Sequence, residues 1–153
     1  PGSTLFSKSF STSNYLGGLA QAGPNTLAVG DNMNTLYLVD ATNGNTLNTF
    51  SGLVSSMPID FLFAYTDSTL VVSGNYRSTA LFDWTTGQTL WSNTFSTGSY
   101  YMSGADFAHS DGSLLFSSTS LSALYAFDWH TNNYIIPFYA DNQICSMLVF
   151  PSE

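Results

Sequence analysis

An all-β fold made of repeated four-stranded antiparallel sheets is what this sequence predicts, on three observations. The first is a pattern that recurs without gaps as Asp40-Ala41-Thr42-Asn43-Gly44-Asn45-Thr46-Leu47, Asp83-Trp84-Thr85-Thr86-Gly87-Gln88-Thr89-Leu90 and Asp128-Trp129-His130-Thr131-Asn132-Asn133-Tyr134-Ile135. Its Asp residues stand 43 and then 45 positions apart, and a period in the forties marks a repeat architecture with one supersecondary unit per copy. The second is composition: aromatic residues make up 16% of the chain and charged residues only 8%, with Ser, Thr and Asn supplying most of the polarity. Thr, Tyr, Phe and Trp suit a pleated, half-buried surface, whereas long amphipathic helices draw on Ala, Glu, Lys and Arg. The third is a regular spacing of short apolar runs and turn residues.

The middle copy shows the four strands most clearly. Ile59 to Tyr65 forms the first, and a turn at Thr66-Asp67-Ser68 leads to Thr69 to Gly74. A second turn around Asn75 to Ser78 leads to Thr79 to Phe82, and a third, Asp83 to Gly87, leads to Gln88 to Phe95. The other copies follow the same grammar, with first turns at Pro24-Asn25 and Asp111-Gly112 and third strands at Thr35 to Val39 and Ala123 to Phe127. Four such strands make a meander, and a meander at this period is a propeller blade.

The flanks extend the repeat. Gly2 to Phe10 matches Gly87 to Phe95, and Ile144 to Phe150 matches a first strand. The expected organisation is therefore an outer strand over 4–10, blades over 16–50, 59–95 and 103–139, and a trailing inner strand over 144–150. Propellers close with about four to eight blades. Three do not close, so the chain either completes a ring with its own copies or belongs to a larger propeller, and its edge strands seek partners.

The recurring Asp has a local explanation. An Asp that opens a tight turn accepts hydrogen bonds from N–H groups two or three residues on, and a Gly four residues later supplies positive φ. Asp40 with Gly44 and Asp83 with Gly87 fit, while Asp128 is followed by Asn132-Asn133, the next-best residue type for a left-handed conformation. All three acids read as structural turn residues.

Charge narrows the partners. Lys8 and Arg77 are the only bases against ten acids, a net charge of -8. A nucleic-acid backbone would meet no basic patch, and an anionic membrane surface is disfavoured for the same reason. No run of about 18 apolar residues exists to span a bilayer. The lone Cys145 rules out an intrachain disulfide and sits in an apolar stretch as a small core residue. A surface poor in Lys and rich in Ser, Thr and Asn points to an exported protein, secreted or at the cell surface.

The Asp83-x-x-Thr86-Gly87-x-x-x-Trp91 stretch resembles the repeat signature of pyrroloquinoline-quinone-type, or quinoprotein-like, propellers. Leu38 to Phe50 is similar to the end of a WD repeat. Only the middle copy carries the full signature: Asn48 and Ile136 stand at the Trp position in the others, and the Gly-His dipeptide of WD repeats is absent. The resemblance implies a propeller without its cofactor. Quinoprotein dehydrogenases use a vicinal disulfide, a carboxylate-bound calcium and an Asp base, and this chain has one Cys and no Glu before Glu153. Trp91 then reads as packing between neighbouring blades.

Candidate sites follow from residue chemistry. Asp60 and Asp106, in Ile59-Asp60-Phe61 and Ala105-Asp106-Phe107, are placed equivalently at the start of the innermost strand, as channel acids, with Gly18 near this place in the first copy. The alternative is a strand-entry acid bonding nearby backbone. Asp31-Asn32-Met33-Asn34 has calcium-friendly oxygens but lacks the alternation and bidentate Glu of a calcium loop, and reads as a polar hairpin turn. His109 and His130 have no ligand-type neighbours at metal spacing. Tyr76, Arg77, Tyr100, Tyr101, Trp84 and Trp129 lie on loops and are residue types that carry interface energy.

The function expected is a non-enzymatic scaffold that binds a protein partner or its own copies, with no catalytic residue, cofactor or metal. The alternatives are a carbohydrate-binding propeller, whose Tyr and Trp rings stack on sugars, and a fragment of a quinoprotein oxidoreductase.

Overall fold

Strong turn chemistry and short apolar runs yield short strands throughout. The computed structural model describes residues 6–10, 15–55, 58–74, 78–94, 102–108, 113–118, 123–128, 131 and 133–139. Among them are twelve strands and no helix. They are β1 (Leu16–Gly23), β2 (Thr26–Asp31), β3 (Thr35–Asp40), β4 (Thr46–Ser51), β5 (Ile59–Ala64), β6 (Thr69–Gly74), β7 (Ser78–Asp83), β8 (Gln88–Thr94), β9 (Met102–Ala108), β10 (Ser113–Ser118), β11 (Ala123–Asp128) and β12 (Asn133–Tyr139).

The strands form three four-stranded sheets, β1-β2-β3-β4, β5-β6-β7-β8 and β9-β10-β11-β12, each in chain order. The meander read from the turns is therefore what the chain builds. The copies agree even in their irregularities. The β3–β4 ladder shifts register between Leu38 and Val39, and the β11–β12 ladder shifts between Ala126 and Phe127, the same place in the repeat. The β1–β2 and β5–β6 ladders likewise both slip near their first residues, between Leu16 and Leu19 and between Ile59 and Phe61. A bulge inserts one residue and re-aims the strand.

The chain divides into two compact units, Pro1–Asn93 and Thr94–Glu153. In the first, the sheets β1–β4 and β5–β8 share one apolar core of Ala22, Ala28, Leu36, Leu38, Leu53, Val54, Ile59, Leu62, Leu70, Val72, Ala80 and Phe82, with Phe50 and Trp84 packed against it. Each fully buried Leu, Ile or Phe contributes roughly 1.5–3 kcal/mol of transfer free energy. The central strand β6 is buried along its whole length, which explains its near-continuous apolar run. Its two hydroxyls are satisfied: Ser73 Oγ lies 3.0 Å from Thr79 Oγ1 across the β6–β7 ladder, and Thr69 Oγ1 lies 2.7 Å from Thr66 Oγ1. The rings of Phe50 and Phe82 meet edge to face at 4.8 Å.

The two sheets touch most closely where β1 lies beside β5. A Cβ on Gly30 would fall 2.4 Å from Ile59 Cγ2, and one on Gly17 would fall 2.3 Å from the Ile59 carbonyl oxygen. No side chain fits at either place, so glycine is what allows this approach.

Residues 6–10, expected within an outer strand, enter no sheet. They lie against β3 and the turn after it: the Phe10 and Tyr37 rings are 4.9 Å apart, Phe6 sits over Gly44, and Lys8 Nζ donates to the Gly44 carbonyl at 2.9 Å. The strand expected over 144–150 lies outside the described residues. The second unit carries the third sheet, antiparallel throughout.

Candidate functional site

Two of the three turn acids, Asp40 and Asp83, accept hydrogen bonds from groups two and three residues on. Asp40 Oδ1 accepts from the Thr42 N–H at 2.8 Å and the Thr42 hydroxyl at 2.6 Å, and Oδ2 accepts from Asn43 Nδ2 at 2.9 Å. Asp83 Oδ1 accepts from the Thr85 N–H at 2.9 Å, the Thr85 hydroxyl at 2.7 Å and the Thr86 N–H at 3.1 Å. Gly44 and Gly87 close the turns at φ 78° and 74°. The Thr42 hydroxyl, foremost, holds the Asp40 carboxyl below its ordinary 3.8, and the Thr85 hydroxyl does the same for Asp83. Each turn is also tied to the first hairpin of its sheet, by Ala41 N–H to the Asn25 carbonyl at 2.8 Å and Trp84 N–H to the Ser68 carbonyl at 3.0 Å. Asp128 closes β11 opposite Asn133.

The pairing of Asp60 with Asp106 needs correcting. Thr69 pairs with Asp83 and Ser113 with Asp128, so β6 and β10 can be counted from their turn acids. On that count Val71 corresponds to Leu115, and their partners on the first strand are Phe63 and Asp106. Asp106 therefore takes the place of Phe63, three residues from that of Asp60, which Ser103 holds in the third sheet. The same count puts Gly17, not Gly18, at the Asp60 place in the first sheet. A shared Asp-Phe dipeptide suggested the equivalence; the hydrogen-bonded ladder, which sets strand register, places the two acids at different heights.

Asp60 itself is half-buried, and that burial raises its carboxyl pKa. Its Oδ1 stands 3.1 Å from where a Cβ on Gly17 would be, so the carboxylate occupies space that a side chain on β1 would take.

Trp84 is not a free ring. It packs on the core, and its six-membered edge lies over Gly23, with Cζ2 3.5 Å from where a Cβ would be. Its indole N–H is buried and has no hydrogen-bond partner among the described residues. Tyr76, Arg77, Tyr100, Tyr101, Trp129, His109, His130 and Cys145 lie outside the described residues.

The Asp31–Asn34 turn is a polar hairpin turn joining β2 to β3, with Asp31 and Asn34 buried and Met33 exposed at its tip. Asp31 is fully buried; its Oδ1 accepts from the Met33 and Thr35 N–H groups, each at 2.8 Å, and Oδ2 accepts from the Tyr37 hydroxyl at 3.1 Å. Asn34 adopts φ 60° and grips the chain leading to the second sheet, donating from Nδ2 to the Val54 carbonyl and accepting from the Val54 N–H at 3.3 Å. The signal was present as an Asp-x-x-Asn turn, but nothing local told that Asp31 and Asn34 are buried.

One surface feature escaped the sequence reading altogether. Among the described residues the exposed large hydrophobics are Tyr15, Leu16, Leu19, Met33, Leu47 and Leu90, of which Leu16 and Leu19 stand on β1. The Asn32 N–H donates to the Tyr15 carbonyl at 3.1 Å, which brings the Met33 turn beside β1. No group of three or more His, Cys, Asp or Glu side chains that could hold a metal occurs among the described residues. No helix among them is long and apolar enough to cross a membrane.

No family model and no curated protein matches this chain. Among solved structures the chain is similar to the computationally designed Ika4 protein, with a TM-score of 0.75 and 14% identity over 98% of this chain and 88% of that one. At that identity the likeness shows the fold, and a fold alone does not define a function. What is established is an all-β protein of repeated four-stranded antiparallel sheets.

Proposed function

We propose that the three sheets are blades of a β-propeller of quinoprotein-like repeat type, and that it acts as a non-enzymatic scaffold binding a protein partner or its own copies. The observation that carries this reading is the pair of outer strands. β4 and β8 lie at the edges of their sheets, are exposed over nearly their whole length, and contain no Lys, Arg, Asp, Glu or Pro. Those are the residues by which edge strands usually avoid pairing with another chain. Leu47 and Leu90, each about half exposed, stand on these same strands.

Light scattering across a concentration series tests the self-association arm, beside the double variant Leu47→Lys, Leu90→Lys. The expected result is a mass above 16.6 kDa that rises with concentration and falls back in the variant. A fixed monomer that also captures no partner through these strands would overturn the reading.

A further inference from the structure

We propose that Asn43 is a site of spontaneous deamidation, held shut by the folded turn and by residues 6–10 lying against it, and that its conversion to aspartate or isoaspartate releases that segment. The inference stands apart from the scaffold reading. Asn43-Gly44 is the one Asn-Gly pair in the chain. Asn is a thermolabile residue, most of all before Gly, which has no side chain to hinder its backbone nitrogen.

In the reaction the Gly44 nitrogen loses its proton to a base in solvent and bonds to Asn43 Cγ. The Cγ–Nδ2 bond breaks and Nδ2 leaves as ammonia, which gives a five-membered succinimide. Water then opens the ring. Cleavage at Cγ yields aspartate, and cleavage at the backbone carbonyl carbon yields isoaspartate. Water is the only co-reactant.

The fold holds each reacting group. The Gly44 N–H donates to the Asp40 carbonyl at 2.8 Å. Asn43 Nδ2 donates to Asp40 Oδ2 at 2.9 Å, and Asn43 Oδ1 accepts from the Asn45 N–H at 2.8 Å. Asn43 is exposed, but Gly44 is buried with the Phe6 ring beside it, and its carbonyl accepts from Lys8 Nζ at 2.9 Å. Attack therefore needs a local opening, and its rate follows the open fraction. The turn itself does not need the amide. Thr86 holds the same place before Gly87, whose N–H still donates to the Asp83 carbonyl at 2.9 Å.

The product cannot restore the turn. A carboxylate at 43 loses the bond to Asp40 Oδ2 and sets a second negative charge beside it, and isoaspartate adds a methylene to the backbone. Gly44 is displaced, and Phe6 and Lys8 lose their contacts with it.

The test incubates the whole chain at mildly alkaline pH, folded and in urea, and follows Asn43 by peptide mass mapping. Deamidation should be at least about tenfold slower in the folded chain, and Phe6→Ala should raise the folded rate about threefold or more. Phe6 belongs to no sheet, so its variant should keep the strands in place. Trypsin has Lys8 and Arg77 as its sites. It should cut after Lys8 faster in aged protein than in fresh protein, faster in fresh Asn43→Asp than in wild type, and without any gain on ageing in Asn43→Thr. Equal deamidation in the folded and urea-treated chain, or a folded rate unmoved by Phe6→Ala, would overturn the guarded site. Equal cleavage at Lys8 in fresh, aged and Asn43→Asp protein would overturn the release.

Discussion

Gly30 and Ile59 hold the two sheets of the first unit together by what one of them lacks: a Cβ on Gly30 would come within 2.4 Å of Ile59 Cγ2. The branch of Ile59 fills the hollow above the glycine, and both residues are fully within the packed region.

Gly30→Ala should therefore cost about 1–3 kcal/mol through overpacking. Ile59→Ala should cost about 2–5 kcal/mol by opening a cavity. The double variant should be less damaged than the sum, because Ala at 59 vacates the space that Ala at 30 needs. Urea unfolding of the four proteins measures this coupling. Strict additivity would mean that the close approach is absent.

The turn glycines separate backbone strain from packing. Gly44, Gly52 and Gly87 all have φ between 73° and 78°, yet a Cβ on Gly52 would touch nothing, one on Gly87 would meet Phe50 at 3.2 Å, and one on Gly44 would meet Phe6 at 2.7 Å. Ala at 52 should cost about 1 kcal/mol, the left-handed penalty alone. Ala at 44 should cost more, and a Phe6→Ala background should bring it back toward the Gly52 value. Equal costs at 44 and 52 would show that the Phe6 ring does not rest there.

Acid should loosen the turns. The folded-state pKa values of Asp40 and Asp83 lie below 3.8. Their contribution is thus complete above the unfolded value and lost as pH falls through the folded ones. Asp40→Asn and Asp83→Asn should flatten the acid limb of a plot of unfolding midpoint against pH, with the two carboxylates exposed and each effect small.

Asp60 has the opposite sign. Its folded pKa is raised by burial, so the ionised form is penalised in the fold, fully above the folded pKa and not at all below the unfolded one. Asp60→Asn should stabilise the free protein at neutral pH and leave it unchanged below about pH 3. Urea midpoints at the two pH values decide it. A destabilised variant at neutral pH would reveal a favourable contact to the carboxylate.

Asp31 should be the most sensitive acid in the first unit. Asp31→Ala removes the acceptor of the Met33 and Thr35 N–H groups and of the Tyr37 hydroxyl, at about 0.5–1.5 kcal/mol for each hydrogen bond lost. Tyr37→Phe removes one bond and should cost about 0.5–1.5 kcal/mol. A mild Asp31→Ala would place the turn in water after all.

The residues themselves made the strands and turns legible. Asp40 and Asp83 bond to atoms two and three residues on, so their role is written in their immediate neighbours, and the period of the pattern carries the meander with it. Asp60 and Asp106 misled because both precede a Phe, and a shared dipeptide does not show which residue of the neighbouring strand each one pairs beside. Trp84 reads as partly exposed from its place after a turn and is so, and only the neighbouring strand, at Gly23, shows which edge of the ring is sheltered.

By itself, then, the sequence determined the all-β class, the strand order within each sheet and the chemistry of the third turn, since these depend on contacts within a few residues. The tertiary structure alone decided that Asp31 is buried and that Gly17 and Gly30 let two sheets meet. Those facts depend on segments about 30 to 45 residues apart, and no local pattern records how closely two such segments approach.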